Sequence, residues 1–315
     1  MATAFAFSNL PVELVRDIFE HAAHSDRATA RNLTLVSSAV RHWTDPILYD
    51  TVVLSTARSL RAFVAAISNK PSEFVRAHVR NLGIFTLGPV QSIDRVLKAC
   101  AGVHSLACGF SLPSYMQTQG TEALQSLKRP REQHLLGVAC RDGWDASLVG
   151  PTVTHLRIHL TSFDSSRPDS PFAFSGAGGQ QAGWDRLKAL PSLTHLAVVY
   201  KPSGSTSPID IIPHLSRLLP PPLNTGAAGS DDCLPSLQLV LIQVVGTAKD
   251  ASFAGETVKA LNAAAESAGG PARCIVAELA PLSAARQWEE SVRGGQSVWD
   301  NAEATVQKRL AAPSK

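Results

Sequence analysis

Two segments of the chain open in the same way: Leu190–Leu196 reads LPSLTHL and Leu234–Leu239 reads LPSLQL. In each of them a Leu-Pro-Ser-Leu turn leads into a run in which apolar residues recur at alternate positions, which is typical of a β-strand. A third segment, Val153–Ile158 (VTHLRI), repeats the strand without the turn before it. This recurrence predicts a repeat protein, in which stacked units share one continuous core.

Other parts of the chain show the same alternation of short strand-like and helical segments. The further predicted strands are Thr51–Leu54, Val79–Ile84, Val103–Cys108 and Arg273–Ala277, with Leu135–Val138 as a weaker candidate. The predicted helices are Ser59–Ile67, Ser92–Cys100, Thr121–Leu127, Ile209–Leu219 and Glu256–Ala268. This order predicts an α/β fold whose strands are parallel and neighbours in chain order.

The spacing of the units is irregular. Leu82 and Leu106 lie one leucine-rich unit apart, whereas Leu156 and Leu196 are separated by more than the ~20–29 residues typical of such repeats. The excess falls in the Ser/Gly/Pro-rich ranges 162–183 and 220–232, which we interpret as insertions.

The end of the chain is predicted to be helical. Arg286–Arg293 and Val298–Leu310 have helical patterns and carry large apolar anchors at Trp288 and Trp299. Because the open end of a repeat array exposes its core, we expect this tail to cap the last repeat.

Residues 10–50 follow a helical pattern. Pro11 suits the first position of a helix, and Leu14 and Ile18 then recur at helical spacing. A second helix is predicted for Ala28–His42, and a short third segment for Trp43–Tyr49 with a break near Pro46. We therefore divide the chain into a three-helix module, residues 1–50, and an irregular repeat domain, residues 51–315.

The module resembles an F-box. Leu10–Phe19 (LPVELVRDIF) is similar to the opening of that family, and Leu33–Ser38 is similar to its second helix. Trp43 stands in the place of the family's tryptophan, and Ile47–Tyr49 resembles its closing apolar segment. With the units behind it, the chain resembles fungal, basidiomycete-type F-box-like proteins with degenerate leucine-rich repeats.

The resemblance implies a substrate-receptor subunit of a Skp–cullin–F-box ubiquitin ligase. Its partners would be a Skp-type adaptor with the cullin complex and, on the repeat domain, an unidentified protein substrate. The segment His21–Ala30 departs from the family's pattern, since it carries polar residues and alanines where a leucine-bearing segment is usual.

A module of this size is too small for a self-sufficient core, so some of its apolar side chains must pack on something else. That surface is either the repeat domain or the adaptor. The resemblance implies that the adaptor-binding residues are Leu10, Pro11, Leu14, Val15, Ile18, Phe19, Leu35, Val36 and Trp43.

Sequence motifs of catalysis and cofactor binding are not found. No G-x-G-x-x-G follows a strand, no P-loop occurs, and Gly109–Pro113 lacks the closing glycine of a nucleophile elbow. We therefore predict an interaction protein with no catalytic residue and no cofactor. Two alternatives remain: a doubly wound α/β enzyme, which the strand–helix alternation also fits, and a degenerate paralogue without a ligase partner.

No metal site is expected either. The five cysteines are scattered without a C-x-x-C pair. His155 and His159 would share a strand face, but no carboxylate or cysteine is suitably spaced beside them. Since His155 matches His195 in the repeat, a structural role is favoured for both.

The charge balance argues against nucleic acid or a membrane as a partner. The chain has 29 basic and 26 acidic residues, a net charge of +3. Met1–Phe7 is apolar but short and lacks a basic start, so we expect no signal peptide. The expected location is intracellular, in the cytoplasm, the nucleus or both.

Overall fold

The structure, a computed structural model, describes residues 10–120, 122–125, 127, 130–140, 148–160, 185–202, 207–221, 233–246 and 251–311. It begins with three helices: α1 (Val12–Ser25), α2 (Arg27–Leu33) and α3 (Ser38–Asp50). Asp26 starts α2 by accepting hydrogen bonds from the backbone N–H groups of Ala28 and Thr29, and the Ser37 hydroxyl accepts one from Val40 at the start of α3. Asp and Ser favour such caps because their side chains satisfy N–H groups that the first helical turn leaves free.

One parallel sheet of eight strands follows, and the strands are neighbours in chain order. The prediction of parallel, sequentially adjacent strands is confirmed. The strands are β1 (Thr51–Leu54), β2 (Asn81–Ile84), β3 (Ser105–Cys108), β4 (Glu132–Leu135), β5 (His155–Leu160), β6 (His195–Tyr200), β7 (Leu239–Val244) and β8 (Ile275–Leu279).

Helices connect the strands. They are α4 (Ala57–Ser68), α5 (Ser72–His78), α6 (Val90–Ala99), α7 (Leu112–Gln119), α8 (Glu122–Gln125), α9 (Ile211–Leu218) and α10 (Ala251–Ala268). The tail behind β8 contains α11 (Ala284–Val292) and α12 (Asp300–Ala311).

The sheet buries side chains on both of its faces. On one face, the side chains at one register position form a row across the strands: Leu82, Leu106, Gln133, Leu156, Leu196 and Val240. All of them except Gln133 are apolar, and these pack with the connecting helices in the main core. In each strand, the residues immediately before and after the one in this row point to the other face of the sheet, here called the tail-covered face. There α11 lies against β2 and β3, and α12 lies against β7 and β8.

This sheet rules out the doubly wound alternative. A doubly wound sheet reverses its strand order at a switch point, where its ligands bind. Here the order runs from β1 to β8 without reversal. The molecule is therefore an irregular, leucine-rich-repeat-like array of strand–helix units.

Two predicted helices are wrong in their bounds. The helix predicted for Ala28–His42 is interrupted: residues 34–37, within the segment Leu33–Ser38, form a turn between α2 and α3, and the Ser37 hydroxyl caps the start of the new helix. Conversely, α3 continues through Pro46 without a break. Contacts hold the helix around this proline: Asp45 pairs with Lys70, and the Tyr49 ring packs on Phe74.

The weak strand predicted at Leu135–Val138 is also misplaced. The strand is Glu132–Leu135, and Gly137–Cys140 forms a 3-10 turn. Gln133 occupies the position that leucine holds in other repeats, which hides the pattern. Its amide is nevertheless satisfied, since it donates to the Leu148 carbonyl at 2.8 Å and accepts from the Gly150 N–H at 3.3 Å.

Helices α5 and α7 were not predicted. The ranges interpreted as insertions, 162–183 and most of 220–232, lie outside the described residues.

Candidate interaction surface and the covered face of the sheet

The N-terminal module presents apolar side chains to solvent. Leu14 and Ile18, one turn apart on α1, are 50% and 45% exposed, and Leu35 and Val36 in the turn before α3 are 79% and 59% exposed. Val12 is exposed as well. Large apolar side chains that project from so short a stretch are typical of a surface that another protein covers. These five residues are here called the module surface.

The other predicted adaptor-binding residues are divided between the surface and the interior. Pro11 is exposed, whereas Leu10, Val15, Phe19 and Trp43 are partly buried. The face of α1 that bears Val15 and Phe19 continues to Ala23, which is buried. The structure therefore separates an outward set, led by Leu14 and Ile18, from an inward set that helps to hold the three helices together.

A groove separates the module from the first repeat. It has a volume of about 640 Å³ and lies along β1 at the edge of the sheet. Its apolar lining includes Tyr49 and Phe63, and Arg27, Arg31 and Arg58 add positive charge. Burial lowers the pKa of Arg27, and the neighbouring Arg293 and Arg31 lower it further.

The tail covers the second face of the sheet: α11 lies against β2 and β3, and α12 lies against β7 and the last strand, β8. Trp288 of α11 is fully buried against the region of β2 and β3, where its ring packs edge-on to Phe85 at 5.7 Å between centroids. A side chain on Gly83 would collide with this ring, since its Cβ would lie 2.5 Å from Trp288 Cζ3. The small residues Gly83 and Ala107 thus make room for the tail.

A buried carboxylate links the tail to the sheet. Glu132 accepts hydrogen bonds from the Trp299 indole at 3.0 Å and from the Ser105 hydroxyl at 3.1 Å. Ser105 in turn accepts the Trp288 indole N–H at 2.9 Å. Burial alone would raise the pKa of Glu132, but His134 and these donors outweigh it and lower the pKa to about 2. Both tail tryptophans are therefore tied to one ionised group.

Two histidines lie beside this network. The imidazoles of His155 and His195 stack 4.2 Å apart and nearly parallel, and Trp299 packs against both ring edges. Glu303 of α12 places a carboxylate oxygen 3.3 Å from His195 Nε2. Burial lowers the pKa of His155 to about 4, with a further contribution from His195, and burial also lowers the pKa of His195.

His159, by contrast, is not part of this group. Four residues along a strand span about 13 Å, which is too far for His155 and His159 to bind the same metal ion. The strand ladder instead pairs His155 with His195. The signal available in the sequence was the repeated Thr-His dipeptide at 154–155 and 194–195.

We expect acid to destabilise the protein through His159. Burial and the charge of Arg157 lower its pKa to about 4, below the ordinary 6.5. Between these values the unfolded chain binds a proton that the folded chain does not, so stability is complete above pH 6.5 and falls towards pH 4. The loss is about 3 kcal/mol at most. Urea unfolding at a series of pH values measures it. His159→Gln should reduce the slope in this window but not abolish it, because burial also lowers the pKa of His155 to about 4. An unchanged slope would show that His159 is not the group responsible.

Comparison with known proteins adds little to this description. No family model matches the chain, and no curated protein matches it. Among solved structures, it is similar to the leucine-rich repeat-containing protein LegL7 from Legionella pneumophila, with 14% sequence identity and a TM-score of 0.37. That match covers 76% of this chain and 87% of LegL7.

Proposed function

We propose that this protein is a substrate receptor of a Skp–cullin–F-box ubiquitin ligase, with residues 1–50 as the adaptor-binding module and residues 51–315 as the substrate-binding part. The observation that carries the proposal is the outward projection of Leu14, Ile18, Leu35 and Val36 from a three-helix unit whose sequence resembles an F-box. A leucine-rich-repeat-like array behind such a unit fits a protein-interaction scaffold, because stacked repeats offer extended surfaces for a partner.

The position of the tail on the sheet restricts where a substrate can bind. Helices α11 and α12 occupy the tail-covered face, which would otherwise be the open face of the sheet. The groove along β1 stays accessible, and Arg27, Arg31 and Arg58 favour an acidic segment there. We therefore include this groove in the proposed substrate surface.

The proposed role is that of a binding protein. It needs no catalytic group of its own, because a receptor acts by holding two partners together. The expected location is the cytoplasm or the nucleus, where such ligases act. In the part of the chain that the structure describes, no helix has the length and apolar character needed to cross a bilayer.

Affinity capture of the tagged full chain from cells tests this role. The Skp-type adaptor and the cullin should be recovered together, and Leu14→Asp with Ile18→Asp should remove both. Recovery of neither partner by the parent chain would contradict the proposal. Recovery of both by the variant would show that they bind elsewhere.

A further inference from the structure

A site that the proposed receptor role does not use lies between the sheet and the tail. His155 and His195 project from neighbouring strands at one register position, and Glu303 approaches them from α12. These three residues each offer a ligand atom, and the atoms lie within 4.8 Å of one another.

The threonine before each histidine contacts one of the two nitrogens of the imidazole ring. Thr154 Oγ1 lies 3.1 Å from the Arg131 carbonyl oxygen and 2.8 Å from His155 Nδ1. A hydroxyl has one proton, and a carbonyl oxygen can only accept. The Arg131 carbonyl also accepts the backbone N–H groups of Thr154 and His155, so the hydroxyl can donate either to this carbonyl or to Nδ1. In both cases Nδ1 is engaged by Thr154, and Nε2 is the ring nitrogen that remains for a further partner.

The same arrangement recurs at the second histidine. Thr194 Oγ1 lies 3.0 Å from the Thr154 carbonyl oxygen and 2.8 Å from His195 Nδ1. His195 Nδ1 is likewise engaged by Thr194, and His195 Nε2 faces a Glu303 oxygen at 3.3 Å.

We propose that His155, His195 and Glu303 bind a divalent transition-metal ion of the zinc class. Two imidazole nitrogens and one carboxylate oxygen form a common ligand set for zinc, with water in the fourth position. Tetrahedral coordination at ~2.1 Å places ligand atoms about 3.4 Å apart, which His195 Nε2 and Glu303 already match. The two rings need only tilt out of their parallel stack for the His155 nitrogen to reach the same ion.

In this site Thr154 and Thr194 contact the ring nitrogen of each histidine that faces away from the ion. A hydrogen bond to the far nitrogen fixes the tautomer and the orientation of a metal-binding histidine. Magnesium and calcium are excluded as the natural ion, because they require oxygen ligands. Since both histidines belong to the sheet and Glu303 to α12, a bound ion fixes the tail on the tail-covered face.

Calorimetric titration of the chelator-treated full chain with zinc chloride tests the site. Glu303→Gln and His195→Gln should each weaken binding at least about tenfold, whereas Glu290→Gln and His159→Gln, matched changes on the tail and on β5, should leave it within about twofold. Glu303 is 49% exposed, so its substitution does not endanger the fold.

Two further readouts identify the site. Cobalt chloride should give the visible absorption of a tetrahedral ion in the parent only, and zinc should slow hydrogen exchange of α12 in the parent only. No zinc binding by the parent, or equal binding by Glu303→Gln, would overturn the proposal. Neither outcome bears on the receptor role, which depends on the module surface alone.

Discussion

Trp288→Ala is expected to lower the free energy of unfolding by about 3–5 kcal/mol, the cost of cutting a buried tryptophan to alanine. Trp288 is the largest side chain that the structure buries completely, and its indole N–H bonds to Ser105. The change removes the ring that Gly83 and Phe85 enclose and leaves the Ser105 hydroxyl without this donor. Urea unfolding of the full chain measures the loss.

Two comparison variants show what the loss means. Trp288→Phe keeps most of the packing but not the hydrogen bond to Ser105, so its cost should be smaller. Leu282 lies just before α11, and its side chain is fully exposed. Leu282→Ala should therefore change the free energy of unfolding by no more than about 0.5 kcal/mol. A cost below about 1 kcal/mol for Trp288→Ala would mean that the tail does not pack on the sheet in solution.

Leu14→Ala combined with Ile18→Ala is expected to weaken binding of a Skp-type adaptor by at least about tenfold. Apolar anchors at an interface typically cost ~2 kcal/mol or more when cut to alanine, and ~1.4 kcal/mol is already a factor of ten. The fold should survive because both side chains are about half exposed and because alanine favours a helix.

A matched pair outside the module controls for general loss of apolar surface. Leu87 and Leu282 are more exposed than Leu14 and Ile18 but lie far from α1 in the sequence. Leu87→Ala with Leu282→Ala should leave adaptor affinity within about twofold. The thermal unfolding midpoints of both double variants must match that of the parent, since a shift would turn a binding test into a folding test.

The sequence predicted the strands well where leucine held the buried position. Leu156 and Leu196 stand in repeated motifs, and they lie at this position of β5 and β6. The pattern failed at β4, where Gln133 takes that position and is satisfied by backbone groups of Leu148 and Gly150. A polar residue that is fully bonded inside the core cannot be recognised from hydrophobic periodicity.

The position of the tail could not be predicted from local patterns. Trp288 and Trp299 were correctly identified as anchors, but their partners lie far away in the chain, at Ser105 and Glu132. β7, Leu239–Val244, is buried along its whole length, on both faces of the sheet. The pairing of His155 with His195 likewise depends on strand register, which spacing within one strand does not reveal.

Within the candidate interaction surface, the resemblance to the F-box singled out a stretch of sequence but did not predict which of its side chains face outward. Leu14 and Ile18 are exposed, whereas Val15 and Phe19 of the same helix are partly buried. Helical spacing places these residues on α1, but only the packing of α2 and α3 decides which of its faces remains open.

Direct binding of the purified full chain to a purified Skp-type adaptor tests the central claim. Isothermal titration should give a one-to-one complex, and hydrogen exchange should show new protection in α1 and in the turn around Leu35 and Val36. No measurable binding, or protection confined to residues 51–315, would contradict the claim that the N-terminal module is the adaptor-binding part of the molecule.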